Sequence, residues 1–118
     1  METRRELVLI PKTENYMKYM LNLLMKLPRT EKFNIGNEYK SVMYQMLEDV
    51  MMIGKIEQTK KLFYINRIDA RINVQRVFLR IMEENRWIDD KKFKYSMSLL
   101  DELGKMVGGL LKSLCQKQ

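Results

Sequence analysis

Four arginines, Arg67, Arg71, Arg76 and Arg80, form two pairs, each with its members one helical turn apart. On a helix such partners lie on one face, where planar guanidinium forks match phosphate oxygens bidentately. The chemistry they offer is anion binding. Arg76 and Arg80 fall on one flank of the helix, Arg67 and Arg71 on the opposite flank. The same side chains would serve equally as partners of carboxylates such as Asp69, Glu83 or Asp101, and residue types alone leave both uses open. Further along, Lys94, Lys105 and Lys112 share one side of a second helical stretch, with Asp101 among them. Tyr64, Phe78, Trp87 and Tyr95 stand near these charges, suited either to stacking on bases or to covering a helix edge.

Catalytic chemistry finds little support. The chain has no histidine, which removes the usual general base, the common nucleophile pairings and the common zinc ligand. Its one cysteine, Cys115, cannot build a thiolate metal cluster or an intramolecular disulfide, so a reducing cytoplasm is the expected setting. Glu48–Asp49, Glu83–Glu84 and Asp89–Asp90 are adjacent pairs, and neighbours on a helix point apart, so they read as solvated faces and caps. The segment GKIEQTKK lacks the glycine spacing of a phosphate-binding loop and has no Ser/Thr directly after its Gly-Lys. No catalytic residue, metal or cofactor is expected.

The charge balance points the other way. Lys and Arg number 22 against 15 acidic residues, giving +7, with further positive charge at Arg4, Arg5, Lys12, Lys26, Arg29, Lys32, Lys55, Lys60 and Lys61. An excess of this sign favours polyanions as partners, although many soluble proteins carry as much.

The elements that must position these side chains are helices. No proline follows Pro28, and the chain is rich in Leu, Met, Lys, Glu and Arg, which argues for long helices in one domain spanning 1–118. The first is predicted over about 13–27, with Thr13 as its N-cap and Pro28 as its stop. The second is predicted over 34–56, the third over 61–85 and the fourth over 89–114 with an acidic cap. The third carries Ile65, Ile68, Ile72, Gln75, Leu79 and Met82 on one seam. Short connections then give an all-α, up-down-up-down antiparallel four-helix bundle. No stretch is long and apolar enough for a membrane span, and LVLI near the start is too short for a signal-peptide core.

Phe93, Met97, Leu100, Gly104, Val107, Leu111 and Leu114 alternate four- and three-residue steps, the heptad rhythm of a helix burying one seam. Gly104 and Gly108 inside that pattern each cost roughly 1 kcal/mol relative to alanine, which implies a closely approaching neighbour. Apolar residues also stand off the seams: Val74, Val77, Phe78 and Ile81 on the third helix, and Leu99, Leu103, Met106 and Leu110 on the fourth. Either neighbouring helices cover them, or other copies of the chain do.

LGKMVGGLLKS, residues 103–113, resembles the C-terminal signature of the accessory variability determinant proteins of diversity-generating retroelements. KLPRTEKFNIG, residues 26–36, is similar to that family's first interhelical turn, and QRVFLRIM, residues 75–82, to its arginine-bearing third helix, with Arg76 and Arg80 at matching positions. Lys105 stands where the family usually has arginine, and Leu110 where tryptophan is common. Those departures lean toward the wider superfamily that includes the four-helix proteins of ribosomal-RNA intervening sequences.

The resemblance implies a bundle assembling as a positively charged homopentameric barrel. It also implies binding to nucleic acid and to a reverse transcriptase in support of error-prone copying of template RNA into cDNA. On that expectation Arg76, Arg80, Lys105, Lys112, Arg67 and Arg71 neutralise phosphates of RNA or DNA with little base reading. Val74, Val77, Phe78, Ile81, Leu103, Met106 and Leu110 gather the copies, and Gly104 and Gly108 permit close packing. The competing expectation is an oligomeric protein-interaction module that does not use nucleic acid.

Overall fold

A computed structural model describes residues 4–116 as an antiparallel bundle of four long helices. These are α1 (Arg4–Met25), α3 (Ile35–Ile53), α4 (Gln58–Glu84) and α5 (Asp90–Gln116), with one turn, α2 (Arg29–Lys32), between α1 and α3. Helices α1 and α4 face each other across the core, and each packs between α3 and α5. The result is a rod of 46 × 22 × 19 Å.

Periodicity alone places α4. Ile65, Ile68, Ile72, Gln75, Leu79 and Met82 are all buried, and they are the seam the sequence predicts. In α5 the buried line is instead Ser96, Leu100, Leu103, Val107 and Leu110, with Phe93, Met97, Leu111 and Leu114 only half-buried beside it. The true seam thus lies to one side of the heptad line. The apolar band of α5 is wide, and its centre is decided by two partners at once, α1 and α4. Leu103 and Leu110, expected at a subunit interface, are instead 2% and 4% exposed and belong to the protomer's own core. Phe78 is half-buried against Tyr39, with ring centroids 6.0 Å apart, and Met106 is half-buried as well. Val74, Val77 and Ile81 remain outside, at 39%, 43% and 36% exposure.

Helix α1 starts nine residues earlier than Thr13, and Pro11 lies inside it. Thr13 is not a cap: it is buried, and its hydroxyl donates to the Leu9 carbonyl at 2.8 Å. Proline within a helix removes one backbone bond and costs about 3 kcal/mol. Burial of Leu9, Thr13 and Tyr16 offsets that, as does an ion pair between buried Glu6 and buried Lys61 at the start of α4. Lys61 Nζ donates to both Glu6 carboxylate oxygens, at 2.9 and 3.0 Å.

Mid-bundle, a polar line crosses the core. Tyr16 donates its hydroxyl proton to Gln75 Oε1 at 2.7 Å, which leaves Tyr39 to donate to the Tyr16 oxygen in a short hydrogen bond. Gln75 Nε2 in turn donates to the Arg71 carbonyl and to the Met46 sulfur. Among the described residues no buried side-chain nitrogen or oxygen lacks a partner, so this line joins α1, α3 and α4 without an orphaned group.

The α4–α5 connection has its own geometry. Asn85 closes α4, Arg86 takes the left-handed conformation at φ 60°, and the amides of Arg86 and Trp87 return to the carbonyls of Glu83 and Met82. That is a Schellman motif with arginine where glycine is usual. The Asp89 carboxylate then accepts from the Lys92 amide at 2.7 Å, the acidic cap expected for α5. Left-handed backbone costs a non-glycine residue about 1 kcal/mol or more. Arg86→Gly is accordingly expected to stabilise the bundle by about 1 kcal/mol, raising Tm by about 4 °C in thermal unfolding.

Candidate functional site

The two flanks of α4 use their arginines differently. Toward α3, Arg71 Nη1 and Arg67 Nε approach Asp49 Oδ2 at 2.9 and 3.3 Å, and Arg71 also donates to Gln45 Oε1. Asp49 is 4% exposed, which corrects its reading as part of a solvated pair. Arg67 further lies 5.4 Å from the centre of the Phe63 ring and 5.9 Å from that of Tyr64. Toward α5, Arg76 Nη2 meets Asp101 Oδ1 at 3.0 Å while Nη1 donates to Asn73 Oδ1 at 2.6 Å. A Cβ on Gly104 would come within 2.9 Å of Arg76 Nη2, so the glycine makes room for this guanidinium. Arg67, Arg71 and Arg76 thus serve carboxylates within the protomer.

Arg80, Lys105 and Lys112 do not. All three are exposed, and none has a carboxylate partner among the described residues. At 100° per residue, Lys105, Gly108 and Lys112 fall within about 60° of one another on α5. Nothing lies within 4 Å of a Cβ built on Gly108. Close packing at Gly108 is therefore corrected for the protomer: the position opens a bare strip of backbone between two lysines. Of the aromatics, Tyr95 is half exposed and packs edge-on against Tyr19 at 4.8 Å. Tyr64 packs edge-on against Phe63 at 5.2 Å.

At the end of the rod where α1 and α4 begin and α5 finishes lies a cleft of about 500 Å³. Arg4, Arg5 and Lys112 line it, above Ile65, Leu110 and the Glu6–Lys61 pair. Arg5 Nη1 donates to the Gly109 carbonyl at 2.9 Å, which anchors the guanidinium at the rim. A second cleft, about 430 Å³, lies at the opposite end against Trp87; there Lys26, Arg86 and Lys92 are matched by Glu83, Asp89 and Asp90.

A family model described as bAvd-like matches residues 7–114. The chain belongs to the bAvd-like family. No curated protein matches it. Membership agrees with the likeness carried by residues 26–36, 75–82 and 103–113, and it makes the chain an Avd-like protein of diversity-generating retroelements. The family is one of accessory, non-catalytic proteins. No helix among the described residues of this bAvd-like chain is long and apolar enough to cross a membrane.

Two features of the bAvd-like chain are absent from the expectations above, though the sequence holds signals for both. Lys61 is in step with Ile65, Ile68 and Ile72, so its phase marks it as buried and in need of a carboxylate. Asp49 sits between Met46 and Val50 on the inward side of α3 and carries the same signal. Their partners lie far away in sequence, and only packing identifies them. Arg4 and Arg5 count only as background charge when α1 is expected to begin after them.

Proposed function

We propose that this chain is a basic, non-catalytic accessory protein of a diversity-generating retroelement, where it binds template RNA and cDNA and a reverse transcriptase during mutagenic copying. What supports the nucleic-acid part most directly is the exposed α5 strip Lys105–Gly108–Lys112, with Arg80 on α4: cations without carboxylate partners among the described residues, beside backbone that no side chain shields. Glycine lets a sugar-phosphate chain come close, and the lysines then displace its counterions. Arg67, Arg71 and Arg76 add to the field but are held by Asp49 and Asp101, so their part is smaller.

In this reading the chain works in the cytoplasm as a homopentamer. Val74, Val77 and Ile81, with the half-buried edges of Phe78 and Met106, supply the contacts between copies. An exposed aliphatic line on a charged helix favours such a use, because repeating it around a ring buries it in every copy. Assembly would also multiply the +7 charge into a strong field for polyanions.

Replacing Arg80, Lys105 and Lys112 together with glutamine is expected to weaken single-stranded RNA binding across sequences. The slope of log affinity against log salt should flatten by about 2, near 0.7 for each phosphate no longer neutralised. An unchanged slope in an intact oligomer would remove these residues from the interface. Light scattering on nucleic-acid-free protein is expected to give the mass of a pentamer, and a monomer would remove the barrel from the mechanism. Binding that is absent even at low salt would favour a protein-interaction module built on the apolar stripe.

A further inference from the structure

We propose that the cleft between the starts of α1 and α4 and the end of α5 binds a phosphate group carrying more than one negative charge, either a terminal phosphomonoester or an oligophosphate. In its strand-end form this rests on the nucleic-acid reading above; in its free-nucleotide form it does not.

Among the described residues, four cations (Arg4, Arg5, Lys61 and Lys112) and one carboxylate (Glu6) line the cleft. Lys61 and Glu6 pair at the buried floor, which leaves a surplus of three positive charges at the rim among the described residues. None of those three has a carboxylate partner among the described residues. An internal phosphodiester carries one negative charge and would leave most of the surplus unmatched. A phosphomonoester carries about two near neutral pH and an oligophosphate more, which suits the count better.

Shape and anchoring agree with the charge. The volume of about 500 Å³ is that of a small-molecule pocket. Arg5 uses one N–H on the Gly109 carbonyl, which orients the planar fork and leaves its other donors for a ligand. Ile65, Leu110 and Leu114 add apolar wall, room for a sugar or base to follow the phosphate. The cleft at the other end of the rod has similar size but three cations against three carboxylates, and so lacks this field.

The test uses four probes on the full, nucleic-acid-free chain: tripolyphosphate, a nucleoside triphosphate, and one oligonucleotide with either a 5′-phosphate or a 5′-hydroxyl. Tripolyphosphate should bind saturably by calorimetry. Arg4→Gln/Arg5→Gln, both at exposed positions, should abolish that binding with the helical circular dichroism unchanged. If the ligand is a strand end, the phosphorylated oligonucleotide binds about tenfold tighter than the hydroxyl form, and the double variant removes only that difference. If it is a free nucleotide, the triphosphate binds and the two strands are equal. Tripolyphosphate binding with neither strand bound would leave the cleft standing and sink the nucleic-acid function. No tripolyphosphate binding with equal strand affinities overturns the proposal, as does tripolyphosphate binding that survives the double variant.

Discussion

Raising the pH above about 10 is expected to unfold this protein steeply, through the tyrosine pair in its core. Burial of Tyr16 pushes its hydroxyl well above the usual tyrosine range, and the neighbouring Tyr39 pushes it further. Burial raises Tyr39 as well. Both groups therefore keep protons in the folded state that the unfolded chain releases from about pH 10 upward. Stability is full below that pH and falls as pH rises, at roughly 1.4 kcal/mol per pH unit for each tyrosine, until the folded-state values are reached. Two such groups cost about 2.7 kcal/mol per unit, a large share of the 5–15 kcal/mol typical of a domain. The phenolate absorbance of the pair should appear together with loss of helical circular dichroism. Tyr39→Phe should roughly halve the slope. A phenolate signal from Tyr16 and Tyr39 in the still-folded protein would contradict the geometry of the core.

Asp49→Ala should destabilise the bundle by about 2–3 kcal/mol in denaturant unfolding. Its carboxylate is buried and holds two arginines that tie α3 to α4. Breaking a buried pair costs about 3–5 kcal/mol when the remaining charge has nowhere to go. Here the Arg67 and Arg71 side chains are 42% and 19% exposed and recover some hydration, which lowers the figure. Asp49→Leu/Arg71→Leu should cost less than Asp49→Ala, because the double change removes the less exposed stranded charge along with its partner. If the single variant loses nothing, Asp49 is not a structural anchor. The released arginines should at the same time raise nonspecific affinity for RNA, since one compensating negative charge is gone.

The α4 seam shows what local pattern can settle. Ile65, Ile68, Ile72, Leu79 and Met82 repeat at helical spacing, and a helix with one such stripe has only one way to face a core. The Asp89 cap and the proline stop at Pro28 are equally local, since each acts through backbone within a few residues. Where α1 begins is different. Pro11 and Thr13 carry the marks of a boundary, and tertiary contacts, the Glu6–Lys61 pair and the burial of Leu9, Thr13 and Tyr16, stabilise a helix that runs through them.

The candidate surfaces divide along the same line. Paired arginines at helical spacing announce an anion or carboxylate partner, and the sequence also carries the family likeness in residues 103–113. Which cations stay open is decided by tertiary packing: Asp49 and Asp101 reach Arg67, Arg71 and Arg76, while Arg80, Lys105 and Lys112 have no such neighbour among the described residues. Packing likewise draws Leu103 and Leu110 inward, leaves Val74, Val77 and Ile81 outside, and brings Arg4 and Arg5 beside Lys112. Periodicity, capping and composition are properties of neighbouring residues and can be read along the chain. An ion pair or a cleft joins residues far apart in sequence, so it exists only once the helices have chosen which faces to share.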